Sequence, residues 1–262
     1  MTLQRLVPLT LGWQELDRCV ALDGYPPGEG DRIPIPGWVI ERDDGGLILY
    51  DTGYDPAAAP SELAFPGYPP PEVVALPDAL AGAGFAIEEV SDCVLSHLMV
   101  DHAGGVGCLA PETKVWIQQA EWDYAHGGSP DPLAYRPADL PPLTAGRLDV
   151  QLIDGDAEPW PGIWLLSTPG HCPGHMSMLV QLPDGWIALA ADAADTQRNL
   201  TERIAPGILL AGREQALASI DRFKDAAISL GALMIPGHDA EVWGLLPRSF
   251  GASRGPHPVA LP

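Results

Sequence analysis

Five of the seven histidines in this 262-residue chain fall in three short motifs. These are Ser96-His97-Leu98-Met99-Val100-Asp101-His102-Ala103-Gly104-Gly105, Thr168-Pro169-Gly170-His171-Cys172-Pro173-Gly174-His175 and Pro236-Gly237-His238-Asp239. Each follows an apolar, β-rich run, which puts His97, Asp101, His102, His171 and His238 on loops at strand ends. Asp192 obeys the same rule after the run 186–191. Imidazoles and carboxylates converging from several strand ends are the ligand set of zinc or another divalent cation, with Zn–N distances of about 2.0–2.1 Å and a position open to water. A single His beside a turn is more often a cap or a surface residue, which is the reading for His126 and His257. Four coordinated motifs resist that account, because it would need several buried imidazoles with separate partners.

The elements that must position these residues are short. Strands are predicted at 37–41, 47–50, 93–96, 114–117, 163–168, 178–182, 186–190 and 232–235, each bounded by turn residues. Helices are predicted at 78–82, 118–125 and 212–230, the last with Ala216, Leu217, Ile220, Phe223, Ala227 and Leu230 at helical spacing. Strands mixed with helices indicate a layered α/β architecture. Two proline-dense segments, 55–77 and 125–148, read as long loops. With Phe65, Tyr68, Tyr124 and Tyr135 in or beside them, they suit a lid or pocket wall.

Composition narrows the partners. With 14 basic against 35 acidic side chains the net charge is −21, which repels nucleic-acid backbones and anionic membrane surfaces. No apolar stretch is long enough for a membrane span, and the start, interrupted by Pro8, Gly12 and Gln14, reads as no signal peptide. The four cysteines, Cys19, Cys93, Cys108 and Cys172, lack any Cys-x-x-Cys pair and suit reduced thiols in a cytoplasm. The last stretch, 250–262, is rich in Gly, Pro and Ala and is expected to lie extended on the surface.

The motifs resemble those of the metallo-β-lactamase-fold superfamily, marked by His-x-His-x-Asp-His, a later His, a bridging Asp and a last His. More narrowly, the chain resembles the branch of N-acyl-homoserine lactonases and 4-pyridoxolactonases. Leu22-Asp23-Gly24-Tyr25, Leu49-Tyr50-Asp51-Thr52-Gly53-Tyr54-Asp55, Gly174-His175-Met176-Ser177 and Asp192-Ala193-Ala194 with Thr196-Gln197 add to the likeness. The resemblance implies one αββα sandwich over 1–262, two mixed sheets flanked by helices with the site at one sheet edge. It also implies a first metal site of His97, position 99 and His171, a second of Asp101, His102 and His238, and Asp192 bridging. Asp51 would orient a ligand imidazole, as could Asp239 or His175.

Two positions depart from that pattern. Position 99 is Met, a neutral soft thioether and a weak zinc ligand. The expectation is one Zn²⁺ at the second site, or two if Met99 or a neighbour completes the first. In the mono-zinc metallo-β-lactamases an Asn replaces a first-site histidine and catalysis runs from the second. The other departure is Asp195, which stands where the lactonases carry a tyrosine whose hydroxyl helps hold the substrate carbonyl oxygen. An ionised carboxylate would repel an oxyanion, so Asp195 faces away, binds a cationic group, or serves as acid or base.

The leading expectation is a hydrolase that opens a lactone, or a related cyclic ester or amide of a small molecule, by metal-bound hydroxide. Asp101, Asp192 and Asp195 are its candidate catalytic carboxylates, and His97 and His171 could also move protons. Quorum quenching or secondary metabolism would be the setting, and a homodimer would be in keeping with the relatives. The alternatives are an iron-dependent redox member of the same fold, or a binding protein with reduced catalysis.

Overall fold

The computed structural model describes residues 2–127, 130 and 134–251. Among these, twelve strands form two sheets. The first contains β1 (Leu3–Asp17), β2 (Gly30–Arg42), β3 (Leu47–Tyr50), β4 (Glu72–Val73), β5 (Val90–Val94), β6 (Lys114–Gln118) and β7 (Asp149–Ile153) in the order β4-β1-β2-β3-β5-β6-β7. The second contains β8 (Ala157–Trp160), β9 (Ile163–Ser167), β10 (Met176–Leu182), β11 (Gly185–Leu189) and β12 (Leu233–Ile235) in the order β12-β11-β10-β9-β8. Both are mixed: β3, β5, β6 and β7 run parallel, as do β11 and β12, and the other pairings are antiparallel.

Side-chain alternation builds the layers. Along β3, Ile48 and Tyr50 face the second sheet, while Leu47 and Leu49 face outward. Along β10 and β11, Met176, Met178, Val180, Ile187 and Leu189 face the first sheet, while Leu179 and Ala188 face outward. Each outer face is covered by helices. Leu76 and Leu80 of the helix Leu76–Gly82 pack on the first sheet, and Ile220, Phe223 and Ala227 of the helix Arg213–Ser229 pack on the second. The result is the expected αββα sandwich.

The predicted strands all lie within or overlap observed ones, and the three predicted helices match Leu76–Gly82, Gln119–His126 and Arg213–Ser229. Four strands lay outside the sequence reading. β1 hides behind Pro8 and Gly12, but most of its outer side has no strand neighbour. Leu6 points its N–H outward to Phe250, so Pro8, two residues on, turns its nitrogen to the same side and costs no bond to β2. β8 contains Pro159 and is an edge strand, while β7 is largely polar and β4 has two residues.

The proline-dense segments are partly built. Segment 55–77 carries the helix Pro60–Leu63 and β4, and segment 125–148 carries the short turns Pro137–Asp139 and Pro141–Thr144. Tyr135 is a core residue with Tyr124 packed on it at 5.3 Å, so these two rings brace the interior rather than forming a lid. Phe250, where the tail was expected to lie on the surface, is buried and bridged to Leu6. His257 and the rest of that tail from 252 onward lie outside the described residues.

Phe223 is fully buried under the second sheet. Phe223→Ala should lower the free energy of unfolding by about 3–5 kcal/mol, read from urea denaturation at equilibrium.

Candidate metal centre

The strands β3, β5, β9, β11 and β12 all end at one edge of the sandwich, and the candidate residues follow them. His97 comes just after β5, and the turn of helix Val100–Ala103 presents Asp101 and His102. His171 lies between β9 and β10, Asp192 in the tight turn Ala191–Ala193 after β11, and His238 after β12. Two glycines let the pieces meet. A Cβ at Gly105 would lie 2.2 Å from the Thr52 carbonyl oxygen, and one at Gly174 would lie 2.1 Å from the Glu121 nitrogen. Only glycine permits such close backbone packing.

Asp192 is the meeting point. Its Oδ1 lies 3.2 Å from His102 Nε2 and 3.1 Å from His238 Nε2; its Oδ2 lies 3.4 Å from His171 Nε2 and 3.9 Å from His97 Nε2. Asp101 Oδ2 is 3.5 Å from His102 Nε2. All six expected ligands therefore converge, and all but Asp101 are buried. Met99 reaches the same place, with its sulfur 3.1 Å from His171 Nε2.

The outer nitrogens of His97, His102 and His238 are fixed, whereas that of His171 is buried without a hydrogen-bond partner. His102 Nδ1 bonds Asp51 Oδ2 at 2.8 Å, and the other oxygen of Asp51 accepts the Ser96 N–H at 2.7 Å. Asp51 holds a left-handed backbone, φ 63°, to make both contacts. Ser96 Oγ lies 2.9 Å from His97 Nδ1, and His238 Nδ1 donates to the Pro34 carbonyl at 2.8 Å. The inner Nε2 atoms of His97 and His102 are buried without a hydrogen-bond partner. Buried polar atoms are rarely left so, and nitrogens pinned from behind and free in front are what a cation requires. Three overlapping groups have donor atoms within 4.8 Å of one another: His97/His102/Asp192, Asp101/His102/His238 and Asp192/Asp195/His238. These His/Asp clusters are consistent with metal binding.

Charge is unevenly shared among them. Burial alone would discharge His102 and His238, but the carboxylates around them, Asp192 foremost with Asp101 and, at His102, Asp51, together outweigh it, raising His238 to about 9 and His102 well above the ordinary histidine range. Burial keeps His97 and His171 low. Although burial opposes it, His102, His238 and His171 hold Asp192 well below the usual carboxylate range. Asp195 goes the other way, pushed well up by burial and then by Asp192.

Other sequence candidates separate into roles. Asp239 caps the helix Ala240–Leu245, accepting from Glu241 N and Val242 N at 3.0 Å each, and does not orient an imidazole. His175 does not orient one either: its Nε2 accepts the Asp192 N–H at 3.0 Å and so fixes the central carboxylate from its backbone. Its own pKa falls to about 3 through burial. His126 is an exposed cap on the Trp122 carbonyl, and Cys172 packs into the core behind the first sheet. Asp195 does not face away; it is buried and lines the pocket.

One residue escaped the sequence reading. Glu121 is fully buried, and its Oε1 accepts from Leu98 N at 2.9 Å and Tyr135 Oη at 2.7 Å, while its Oε2 accepts from Gly174 N at 3.1 Å. It clamps the loop of His97 to the loop of His171. Above the cluster lies a pocket walled by Leu16, Val20, Ile33, Phe65, Ala134 and Ile208, with Arg18 and Asp31 also on its lining. No helix among the described residues is long and apolar enough to cross a membrane.

The fold and this cluster match known proteins. The family model of the metallo-beta-lactamase superfamily matches residues 31–238. The chain belongs to that superfamily, in its N-acyl homoserine lactonase branch. It is 31% identical over 252 residues to an N-acyl homoserine lactonase of Bacillus cereus, covering 92% of this chain and 95% of that protein. A Bacillus thuringiensis AiiA variant solved with N-decanoyl-L-homoserine at its active site superposes with a TM-score of 0.81 at 28% identity, over 94% of this chain and 98% of that one. An N-acyl homoserine lactone hydrolase with N-hexanoyl-L-homoserine at its catalytic metal centre gives 0.80 at 28% identity, with the same coverage of each chain.

Two measurements test this geometry. Glu121→Gln places an amide against two backbone donors and a hydroxyl, and should weaken zinc affinity about 10- to 100-fold in competition with a chromophoric chelator. A cation must also displace protons from His102 and His238. Zinc affinity of metal-stripped protein should therefore rise with pH through about 9, where His238 loses its proton, and proton release should show in calorimetry across buffers of different ionisation enthalpy.

Proposed function

We propose that this protein is a metal-dependent hydrolase that opens the ring of a neutral lactone bearing an apolar acyl group, with N-acyl homoserine lactones as the leading class. The observation that carries this reading is the placement of the Asp192-centred cluster at the floor of an apolar pocket. An acyl chain suits the walls formed by Leu16, Val20, Ile33, Phe65 and Ile208, which exclude water from the reacting centre. The ester end of the substrate then meets the cluster. Relatives solved with N-decanoyl-L-homoserine at the active site and N-hexanoyl-L-homoserine at the catalytic metal centre support this substrate class.

His102, His238, Asp101 and Asp192 would hold the metal, with His97 and His171 offering a second, weaker position beside Met99. Zinc or a similar cation supplies Lewis acidity there, polarising the ester carbonyl and making water acidic enough to attack near neutral pH. Asp101, which His102 keeps ionised against the effect of burial, is the most exposed of these carboxylates. Its Oδ2 accepts the proton of the attacking water and returns it to the leaving ring oxygen. A C–O bond forms at the carbonyl, the ring C–O bond breaks, and the product is a hydroxy acid. Convergence of all six candidate ligands on one point favours this enzyme over a binding protein of reduced function.

Purified protein should hydrolyse N-acyl homoserine lactones in a pH-stat assay, with KM falling as the acyl chain lengthens. Asp192→Asn should abolish both metal uptake and ring opening. Full turnover by that variant, or a KM indifferent to chain length, would sink the reading.

A further inference from the structure

Asp195 has a position that neither a lid nor a turn explains. It is 5% exposed, and its Oδ1 is buried without a hydrogen-bond partner. A carboxylate oxygen of Asp195 lies in one group with donor atoms of Asp192 and His238, all within 4.8 Å of one another. Its main chain is locked there, because its carbonyl accepts the His238 N–H at 2.7 Å and the preceding Ala194 carbonyl accepts the Gly237 N–H at 2.9 Å. The side chain is therefore held at the second metal position by the very loop that carries His238.

Two carboxylates buried side by side repel each other, and burial adds to the cost of each charge. Asp192 is compensated by imidazoles from both sheets, whereas Asp195 Oδ1 is buried without a hydrogen-bond partner and a carboxylate oxygen of the same residue lies within 4.8 Å of donor atoms of Asp192 and His238. A dication placed among Asp101, His102, Asp192, Asp195 and His238 removes that repulsion and gives the buried Asp195 carboxylate a partner. The resulting donor set has three carboxylates and two imidazoles, which is harder and richer in oxygen than a tris-imidazole site. On the other side of Asp192 the donors are His97, His171 and the thioether of Met99.

Building on the metal centre proposed above, we infer that Asp195 is a direct ligand of the second-site metal, and that it shifts this site's preference toward hard, higher-coordinate cations such as Mn²⁺. Zn²⁺, content with four ligands, depends on Asp195 less.

The test uses the full chain stripped of metal. Mn²⁺ is titrated with free ion read by electron paramagnetic resonance, Zn²⁺ by chelator competition, and Co²⁺ by its visible absorption. Asp195→Asn should weaken Mn²⁺ at least tenfold and Zn²⁺ by a smaller factor, and the weak Co²⁺ bands of a five- or six-coordinate site should intensify toward tetrahedral values. Asp195→Glu should restore part of the Mn²⁺ affinity, which separates ligation from damage to the fold. Unchanged Mn²⁺ affinity and Co²⁺ spectrum in Asp195→Asn, or equal losses for Mn²⁺ and Zn²⁺ with no rescue by Glu, would overturn the inference. Wild-type protein that takes up none of the three metals would overturn it together with the metal centre. Asp195-dependent uptake in a protein that opens no lactone would support it while removing the proposed reaction.

Discussion

A carboxylate sealed among imidazole rings must be neutralised where it sits, and the burial of Asp192 sets the terms for everything around it. His97 and His102 reach it from loops of the first sheet; His171 and His238 reach it from the second. Neither sheet can complete this arrangement alone. The apolar faces that press the sheets together, with Ile48, Tyr50, Met178 and Leu189 among them, therefore also assemble the polar cluster. Glu121 and His175 refine the assembly from behind, one tying two loops together and the other holding the Asp192 backbone.

Much of this was legible in the sequence because metal chemistry demands particular residue types. Histidine and aspartate after apolar runs marked the strand ends, and every one of the six expected ligands arrives at the cluster. The fold was legible through alternation in β3, β10 and β11 and through the helical stripe of Ile220, Phe223 and Ala227. What stayed hidden was position that depends on distant partners. β1 carries the wrong residues for a central strand, and its largely open outer side is what tolerates Pro8. Glu121 sits in a helix beside Gln119 and Asp123, where a sequence shows one more surface charge. Its partners at 98, 135 and 174 come together only in three dimensions. Asp195 was visible as a departure from the lactonase pattern, but the direction of its side chain was set by the His238 loop.

The two departures fall on opposite sides of the same carboxylate. Met99 puts a neutral, polarizable sulfur where the family has an imidazole, and Asp195 puts a third carboxylate beside His238. Donor strength is thereby moved across the centre rather than simply lost. Such a redistribution leaves the fold, the apolar pocket and the central Asp192 as they are, and on the proposed reading would change which cation each half prefers.

The dependence of the cluster on both sheets also bears on how long the protein lasts. Its four cysteines are unpaired, so no covalent bridge joins the halves. The unfolded chain scatters the ligands and has little hold on a cation, whereas the folded chain gathers them. If the cluster holds the proposed cation, each increase in free metal would by mass action draw the folding equilibrium toward the native state. Turnover of this protein would thus follow the supply of metal around it, making its abundance a readout of that supply as well as of synthesis.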